Sequence, residues 1–127
     1  MIVADTHAWI WWATGSRRLS KRARAAFEEA DAIGVAAITL WEIAMLVRHQ
    51  RLVLDRGVSL WLRQSLAKPR AALLPLDPDV ATRAVALEWE HRDPADRLIV
   101  ATALVHRAAL VSRDERMSRF DGIRTIW

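Results

Sequence analysis

The chain has 127 residues, a length that suits one domain with a single hydrophobic core. Hydrophobic residues make up 53% of it and cysteine is absent, which excludes a disulfide framework and a thiolate metal site. The formal net charge is +4, and nearly all the positive charge is arginine, which suits a polyanionic partner. A bias toward arginine codons would explain the arginine content equally well.

The N-terminal segment is apolar but lacks a basic start, and Asp5 and His7 interrupt it, so it is a poor signal peptide. No run reaches the roughly 18 uncharged apolar residues that a membrane span requires. We therefore expect a cytoplasmic protein with no membrane partner.

The first half of the chain predicts two strands and three helices. Residues 1–5 are predicted as a buried strand that ends in a charge, and residues 33–38 as a second strand. Helices are predicted over residues 19–30, with Ser20 as a candidate N-cap, then over 39–50 and over 58–67, where Pro69 closes the last of them.

The second half predicts three strands and three helices. Strands are expected at residues 71–76, at 109–112 and, as an edge strand, at 123–126. Asp77-Pro78 opens a helix that runs to about residue 89, and Asp93-Pro94 opens another that runs to about residue 108. A short helix is predicted over residues 114–120.

Strands that alternate with helices predict βαβ units and right-handed crossovers. The expected fold class is α/β, a three-layer α/β/α sandwich with a mainly parallel central sheet. No linker divides the chain, so residues 1–127 are expected to form a single domain.

This fold places four acidic residues at one edge of the sheet. Asp5 ends the first strand, and Glu42 lies in the first turn of the helix after the second strand. Asp96 lies in the first turn of a helix that feeds the fourth strand, and Asp114 follows that strand. Ligands of open α/β sheets bind at the carboxyl edge of the strands, where all four acids are predicted to meet.

Three of these acids also have a structural explanation. Thr39-x-x-Glu42 matches a capping box, Asp96 suits the positive end of its helix, and Asp114 can cap the short helix that follows it. Asp93 is assigned to helix capping. Asp5 has no comparably clear capping role, so its functional interpretation is favoured.

Several carboxylates on one rim raise one another's pKa or bind a cation. With no cysteine, and no histidine placed among them, the predicted donors are all oxygen, which favours Mg²⁺ or Mn²⁺ over zinc. The residues themselves thus predict a metal-dependent enzyme of phosphate-ester chemistry.

Four segments together resemble the signature motifs of the PIN-domain proteins, with closest similarity to the VapC-type toxins of bacterial toxin–antitoxin pairs. They are residues 5–7 (DTH), 38–44 (ITLWEIA), 91–103 (HRDPADRLIVATA) and 110–117 (LVSRDERM). The resemblance runs the length of the chain in the expected order. It implies a Mg²⁺-dependent endoribonuclease, with Mn²⁺ as a substitute, that hydrolyses RNA by metal-activated water.

The resemblance also implies roles for individual residues. Asp5, Glu42, Asp96 and Asp114 match the acidic quartet, with Asp5 and Asp96 as the most direct metal ligands. Thr6 and Ser112 are candidates for orienting those ligands, with strand-end hydrogen bonding as the alternative. Arg97 and Arg113 are candidates for binding substrate phosphate, or else for neutralising the adjacent acids. His7 and His91 are given no general-base role.

The resemblance further implies a small antitoxin partner and a homodimer. The seven tryptophans fit partly exposed aromatic residues at such an interface, although core packing alone would also explain them. The alternative function is a PIN-like module that binds nucleic acid or a partner without catalysis. Haloacid-dehalogenase-like phosphatases are disfavoured because they need Asp-x-Asp where this chain has Asp5-Thr6-His7. Response-regulator receivers are disfavoured because they need a lysine on a strand, and neither lysine of this chain, Lys21 or Lys68, is predicted on one.

Overall fold

A computed structural model describes all residues from Met1 to Trp127. Its five strands are β1 (Ile2–Ala4), β2 (Ile33–Ala36), β3 (Ala71–Leu74), β4 (Ala109–Val111) and β5 (Thr125–Ile126). The seven helices are α1 (Thr6–Ala13), α2 (Lys21–Glu29), α3 (Ala37–Arg48), α4 (Val58–Leu66), α5 (Pro78–Ala86), α6 (Pro94–Val105) and α7 (Glu115–Ser118). None of these helices is long and apolar enough to cross a membrane.

The strands form one sheet in the order β3-β2-β1-β4-β5, and every neighbouring pair is parallel. The predicted α/β class and the parallel sheet are therefore confirmed, and β5 lies at an edge as expected. β1 occupies the centre, where Ala4 is in register with Val35 of β2 and Val111 of β4. The carboxyl ends of these three strands thus meet at one edge of the sheet.

The two faces of the sheet bury separate cores because side chains alternate along each strand. Ile2 and Ala4 pack on one side with Trp9 of α1 and Phe27 of α2. Val3, between them, packs on the other side, in a cluster that also holds residues of α6 and α7. Helices therefore cover both faces, as the three-layer prediction requires.

The element predictions failed mainly in one place, at α1, which was not predicted. The chain enters α1 directly after β1, with Asp5 as the N-cap. Its sequence, THAWIWWA, has little amphipathic contrast, because this helix packs apolar side chains on much of its circumference. Ser20, Asp77 and Asp93 cap their helices as predicted.

Two helix boundaries also differ from the prediction. β2 ends at Ala36 and α3 begins at once, so the helix starts before Thr39. α5 ends at Ala86 rather than near residue 89, and residues 87–93 form an irregular segment that leads into α6.

Candidate metal centre

Asp5 lies at the carboxyl end of the central strand and is buried, with 7% of its surface exposed. One carboxylate oxygen accepts a hydrogen bond from the backbone N–H of Ala8 (2.8 Å), and the other accepts from the Ser112 hydroxyl (2.5 Å). Asp5 therefore caps α1, so the expectation that its capping role is less clear than those of the other acids is wrong. Burial nevertheless outweighs these hydrogen bonds and raises the pKa of Asp5 to about 6.

Glu42 lies in the second turn of α3, and its Oε1 accepts a hydrogen bond from the Thr6 hydroxyl (2.5 Å). The capping-box interpretation is wrong, because Ala36 is the N-cap and Thr39 is a buried residue within the helix. Burial raises the pKa of Glu42, and the hydrogen bond from Thr6 partly opposes the rise. Thr6 thus connects the start of α1 to this carboxylate.

Asp96 lies in the first turn of α6, where Asp93 caps the helix by accepting from the backbone N–H of Ala95 (2.9 Å). The Oδ2 atom of Asp96 is 2.6 Å from Nε2 of His91, and both side chains are largely buried. Burial raises the pKa of Asp96, while the contact with His91 lowers it. His91 is thus a neighbour of a predicted ligand, which the sequence did not indicate.

Asp114 is the N-cap of α7, as its structural interpretation predicted, and it pairs with Arg116. Two guanidinium nitrogens of Arg116 lie 2.7 and 3.1 Å from the two Asp114 oxygens, and its Nη2 is 4.0 Å from Oδ2 of Asp96. These hydrogen bonds lower the pKa of Asp114. The sequence did not predict the contacts of Arg116, because they depend on how the short helix α7 directs this side chain toward Asp114 and Asp96.

One cleft of about 710 Å³ collects the predicted acids. All four of them line it, together with Asp93. The basic residues along it are His7, Arg18, Arg51, Arg113 and Arg116. The structure thus brings together four acids that are up to 109 positions apart in the sequence, and it surrounds them with arginines.

Of the four supporting residues named from the sequence, three lie at this site. Thr6 and Ser112 hydrogen-bond to Glu42 and Asp5, and Arg113 lines the cleft. Arg97 does not line it. Its guanidinium donates to five backbone carbonyls, those of Ala84, Val85, Leu87, Trp89 and His91. The expectation that Arg97 binds phosphate or neutralises an acid is therefore corrected, because its donors are already used.

The donor set suits a hard divalent cation. The available ligands are carboxylate oxygens, and the buried Asp5 lacks a cationic partner that would favour its charged form. The groups whose ligand atoms all lie within 4.8 Å of one another are His91, Asp93 and Asp96, and of these only Asp96 belongs to the predicted quartet. An acidic cluster of this kind can bind a divalent metal ion.

Residues 2–123 match the family model described as PIN domain. The chain belongs to the PIN-domain family. It is 40% identical to Ribonuclease VapC22 of Mycobacterium tuberculosis (strain ATCC 25618 / H37Rv) over 129 aligned positions, which cover 99% of this chain and 98% of that protein. The resemblance that the four motifs indicated is thereby confirmed.

Solved structures with the same PIN-domain architecture come from toxin–antitoxin complexes. A toxin–antitoxin complex from Klebsiella pneumoniae contains a chain that is 24% identical, with a TM-score of 0.70 and coverage of 97% of this chain and 95% of that one. VapBC2 from Rickettsia felis, bound to a DNA fragment from its promoter, contains one that is 16% identical, with a TM-score of 0.70 and coverage of 98% and 97%. At these identities the likeness establishes the fold.

Proposed function

We propose that this protein is a metal-dependent endoribonuclease that acts as the toxin of a toxin–antitoxin pair. The observation that carries the proposal is the convergence of four carboxylates from distant segments on one cleft, in a chain 40% identical to a named ribonuclease. A non-catalytic binding module would not need this acidic set to be complete.

In this proposal Asp5 and Asp96 hold the divalent ion directly, and Glu42 and Asp114 complete the site directly or through water. When bound, such an ion would supply the activation of a water for attack on phosphorus and the stabilisation of negative charge on the departing 3′ oxygen. The products would carry 5′-phosphate and 3′-hydroxyl ends.

The chain's own residues hold the carboxylates in position. Ser112 orients Asp5, and Thr6 orients Glu42, each through a short hydrogen bond from its hydroxyl. Exposed Arg113, next to Asp114, is placed to bind a substrate phosphate from the rim of the cleft. These contacts reduce the reorganisation needed when substrate binds.

Mg²⁺ is the proposed ion, because carboxylate oxygens with room for several waters suit its octahedral preference. Mn²⁺ is the expected substitute, since it accepts the same oxygen ligands.

The proposed setting is a single cytoplasmic nuclease domain, residues 1–127, with a small antitoxin as its partner. Homodimerisation is also proposed. Trp41 supports an interface of this kind, because 56% of its surface is exposed beside Glu42, whereas Trp9 is fully buried. Large exposed aromatic side chains are frequent anchors of protein interfaces.

The test is RNA cleavage by the purified protein with Mg²⁺ and with EDTA, alongside Asp5→Asn. We expect cleavage only with the ion, and a loss of about a hundredfold or more in the variant, because Asn cannot supply the anionic ligand. Asp55→Asn is the matched control, since Asp55 is an exposed acid paired only with Arg56. Equal activity of wild type and Asp5→Asn would refute the catalytic assignment.

A further inference from the structure

Two arginines without ion-pair partners and two aromatic residues also line the acidic cleft, and we call them its flank: Arg18, Arg51, His7 and Trp11. His7 and Trp11 lie four residues apart on α1 and so share a face of the helix, with ring centroids 5.6 Å apart. Both residues line the cleft, and Trp11 also contacts Trp127, at 5.7 Å between centroids. His7 is exposed and Trp11 half-buried, so the His7 ring is the more accessible of the two.

Arg18 and Arg51 lie on the same flank. Arg18 belongs to the connection between α1 and α2, and Arg51 follows the end of α3. Both are exposed and line the cleft, and neither guanidinium forms an ion pair or a hydrogen bond with another group of the chain. Arg116 and Arg97 differ from them, since the first is bound to Asp114 and the second to backbone carbonyls.

These free guanidinium groups stand out because the same cleft contains five acids. An arginine that served only to neutralise the cleft would be expected to pair with one of these carboxylates, as Arg116 does. Arg18 and Arg51 therefore remain available for an anion from outside the protein. A polyanion that approached the acids without such cations would be repelled by them.

We propose that Arg18 and Arg51 bind backbone phosphates of RNA, and that the exposed His7 ring, which packs against Trp11 at an angle of 50°, stacks with a neighbouring unpaired base. The inference rests on the proposed ribonuclease function and deepens it by naming side chains outside the acidic quartet that would hold the substrate strand. Arginine binds phosphate through paired N–H donors, and an aromatic face accepts any exposed base. Bases within a duplex do not present their faces, so stacking selects single strands.

Arg113, in the segment between β4 and α7, also lines this cleft, so RNA held by Arg18 and Arg51 would share the cleft with it.

The test is binding of a fluorescently labelled single-stranded RNA in EDTA, where cleavage does not interfere, measured by anisotropy over a series of NaCl concentrations. For single strands the slope of log K against log salt is negative, and its magnitude decreases by about 0.7 for each lost phosphate contact. Arg18→Gln and Arg51→Gln are each expected to reduce that magnitude by about this amount, and their combination by about twice as much. Arg83→Gln is the control, because Arg83 is an exposed arginine on α5 away from this cleft.

The aromatic part is tested separately with His7→Ala and His7→Phe. The alanine variant is expected to bind the single strand more weakly at an unchanged salt slope, and phenylalanine to restore binding, because it keeps a stacking face. Slopes for Arg18→Gln and Arg51→Gln equal to that of Arg83→Gln would overturn the phosphate assignment. Equal binding by His7→Ala and wild type would overturn the stacking assignment.

Cleavage assays with Mg²⁺ distinguish this inference from the proposed function. We expect the arginine variants to raise KM and leave kcat within about twofold, because the lost phosphate contacts bind the ground state and the transition state equally. If wild type cleaves no RNA but the arginine variants still reduce the magnitude of the salt slope, the ribonuclease proposal fails and the proposal that the flank binds RNA is supported. If wild type cleaves RNA and the variants change neither slope nor KM, the flank proposal fails alone.

Discussion

The Asp5 side chain is subject to opposing effects at the centre of the site. Its hydrogen bonds from Ala8 and Ser112 favour the carboxylate, whereas burial and the nearby Asp96 and Asp114 favour the neutral acid. The resulting pKa of about 6 means that burial dominates. A divalent ion would reverse this balance by supplying the missing positive charge.

This balance predicts a pH-dependent stability difference between wild type and Asp5→Asn. The pKa of Asp5 is about 6 in the folded protein and near 3.9 in an unfolded chain, so the ionised form destabilises the metal-free fold by up to about 3 kcal/mol above pH 6. Asparagine keeps the N-cap without the charge. In EDTA, Asp5→Asn should therefore be the more stable protein near pH 7.5, and the difference should vanish below about pH 4, where both side chains are neutral.

Urea denaturation of both proteins across this pH range measures the difference. A gap that stays constant with pH would contradict the burial argument, because it would reflect a change in packing or capping rather than in charge. An Asp5→Asn protein less stable than wild type at pH 7.5 would contradict it directly.

At the level of single residues, the sequence predicts the acids of the cleft better than their partners. Asp5 and Asp114 could be placed because each follows a strand, and parallel strands share one carboxyl edge. The contacts of His91 and Arg116 depend on the path of an irregular segment and on the turn of a four-residue helix. No periodicity encodes either feature, so these partners required the structure.

Among the larger elements, the segment between α5 and α6 has no regular structure and yet carries His91 and Asp93. Arg97 holds it in place from the first turns of α6. Its Nη2 donates to the carbonyl of Leu87 (2.7 Å), and its Nη1 donates to those of Trp89 (2.8 Å) and His91 (3.1 Å). Arg97 therefore supports Asp96 indirectly, by holding the backbone that presents His91 to it.

Arg97→Met is expected to lower the free energy of unfolding by about 2–3 kcal/mol, because it leaves several carbonyls without their charged donor. Hydrogen exchange should accelerate in residues 87–91, as the irregular segment loses its attachment. Arg83→Met provides the control, since Arg83 is exposed and forms no such bonds, and it should change stability by less than about 0.5 kcal/mol. Similar stability and exchange for the two variants would show that the Arg97 contacts do not hold the segment.

The regular elements were predictable to different degrees. Helices with a capping residue and a proline at the first position, such as α5 and α6, were found at the predicted starts. α1 was missed because its apolar residues give little amphipathic contrast, and because Asp5 was interpreted as the end of the preceding strand rather than as a cap. The capping box at Thr39 failed because the β2–α3 connection has no intervening loop.

For the whole molecule, the strand order explains why folding creates the site. β1 is central, so its carboxyl end lies between those of β2 and β4, and the segments that follow all three strands contribute carboxylates. Asp96 joins them from α6, which packs against the same sheet. Residues this far apart in sequence cannot hold one ion in an unfolded chain, so ion binding and folding are thermodynamically linked.

This linkage predicts that Mg²⁺ or Mn²⁺ raises the thermal unfolding midpoint of the protein. Stabilisation follows the ratio of ion concentration to Kd and reaches about 2.7 kcal/mol when the ion is at a hundred times Kd, which corresponds to a rise of several degrees for a domain of this size. The rise should be smaller at pH 5 than at pH 7.5, because protons compete for carboxylates whose pKa burial has raised.

Asp96→Asn should largely abolish this rise in the unfolding midpoint, whereas Asp55→Asn should retain it, since Asp55 lies outside the cleft. Scanning calorimetry at matched ionic strength provides the measurement, and an equal rise for wild type and Asp96→Asn would mean that the ion binds elsewhere.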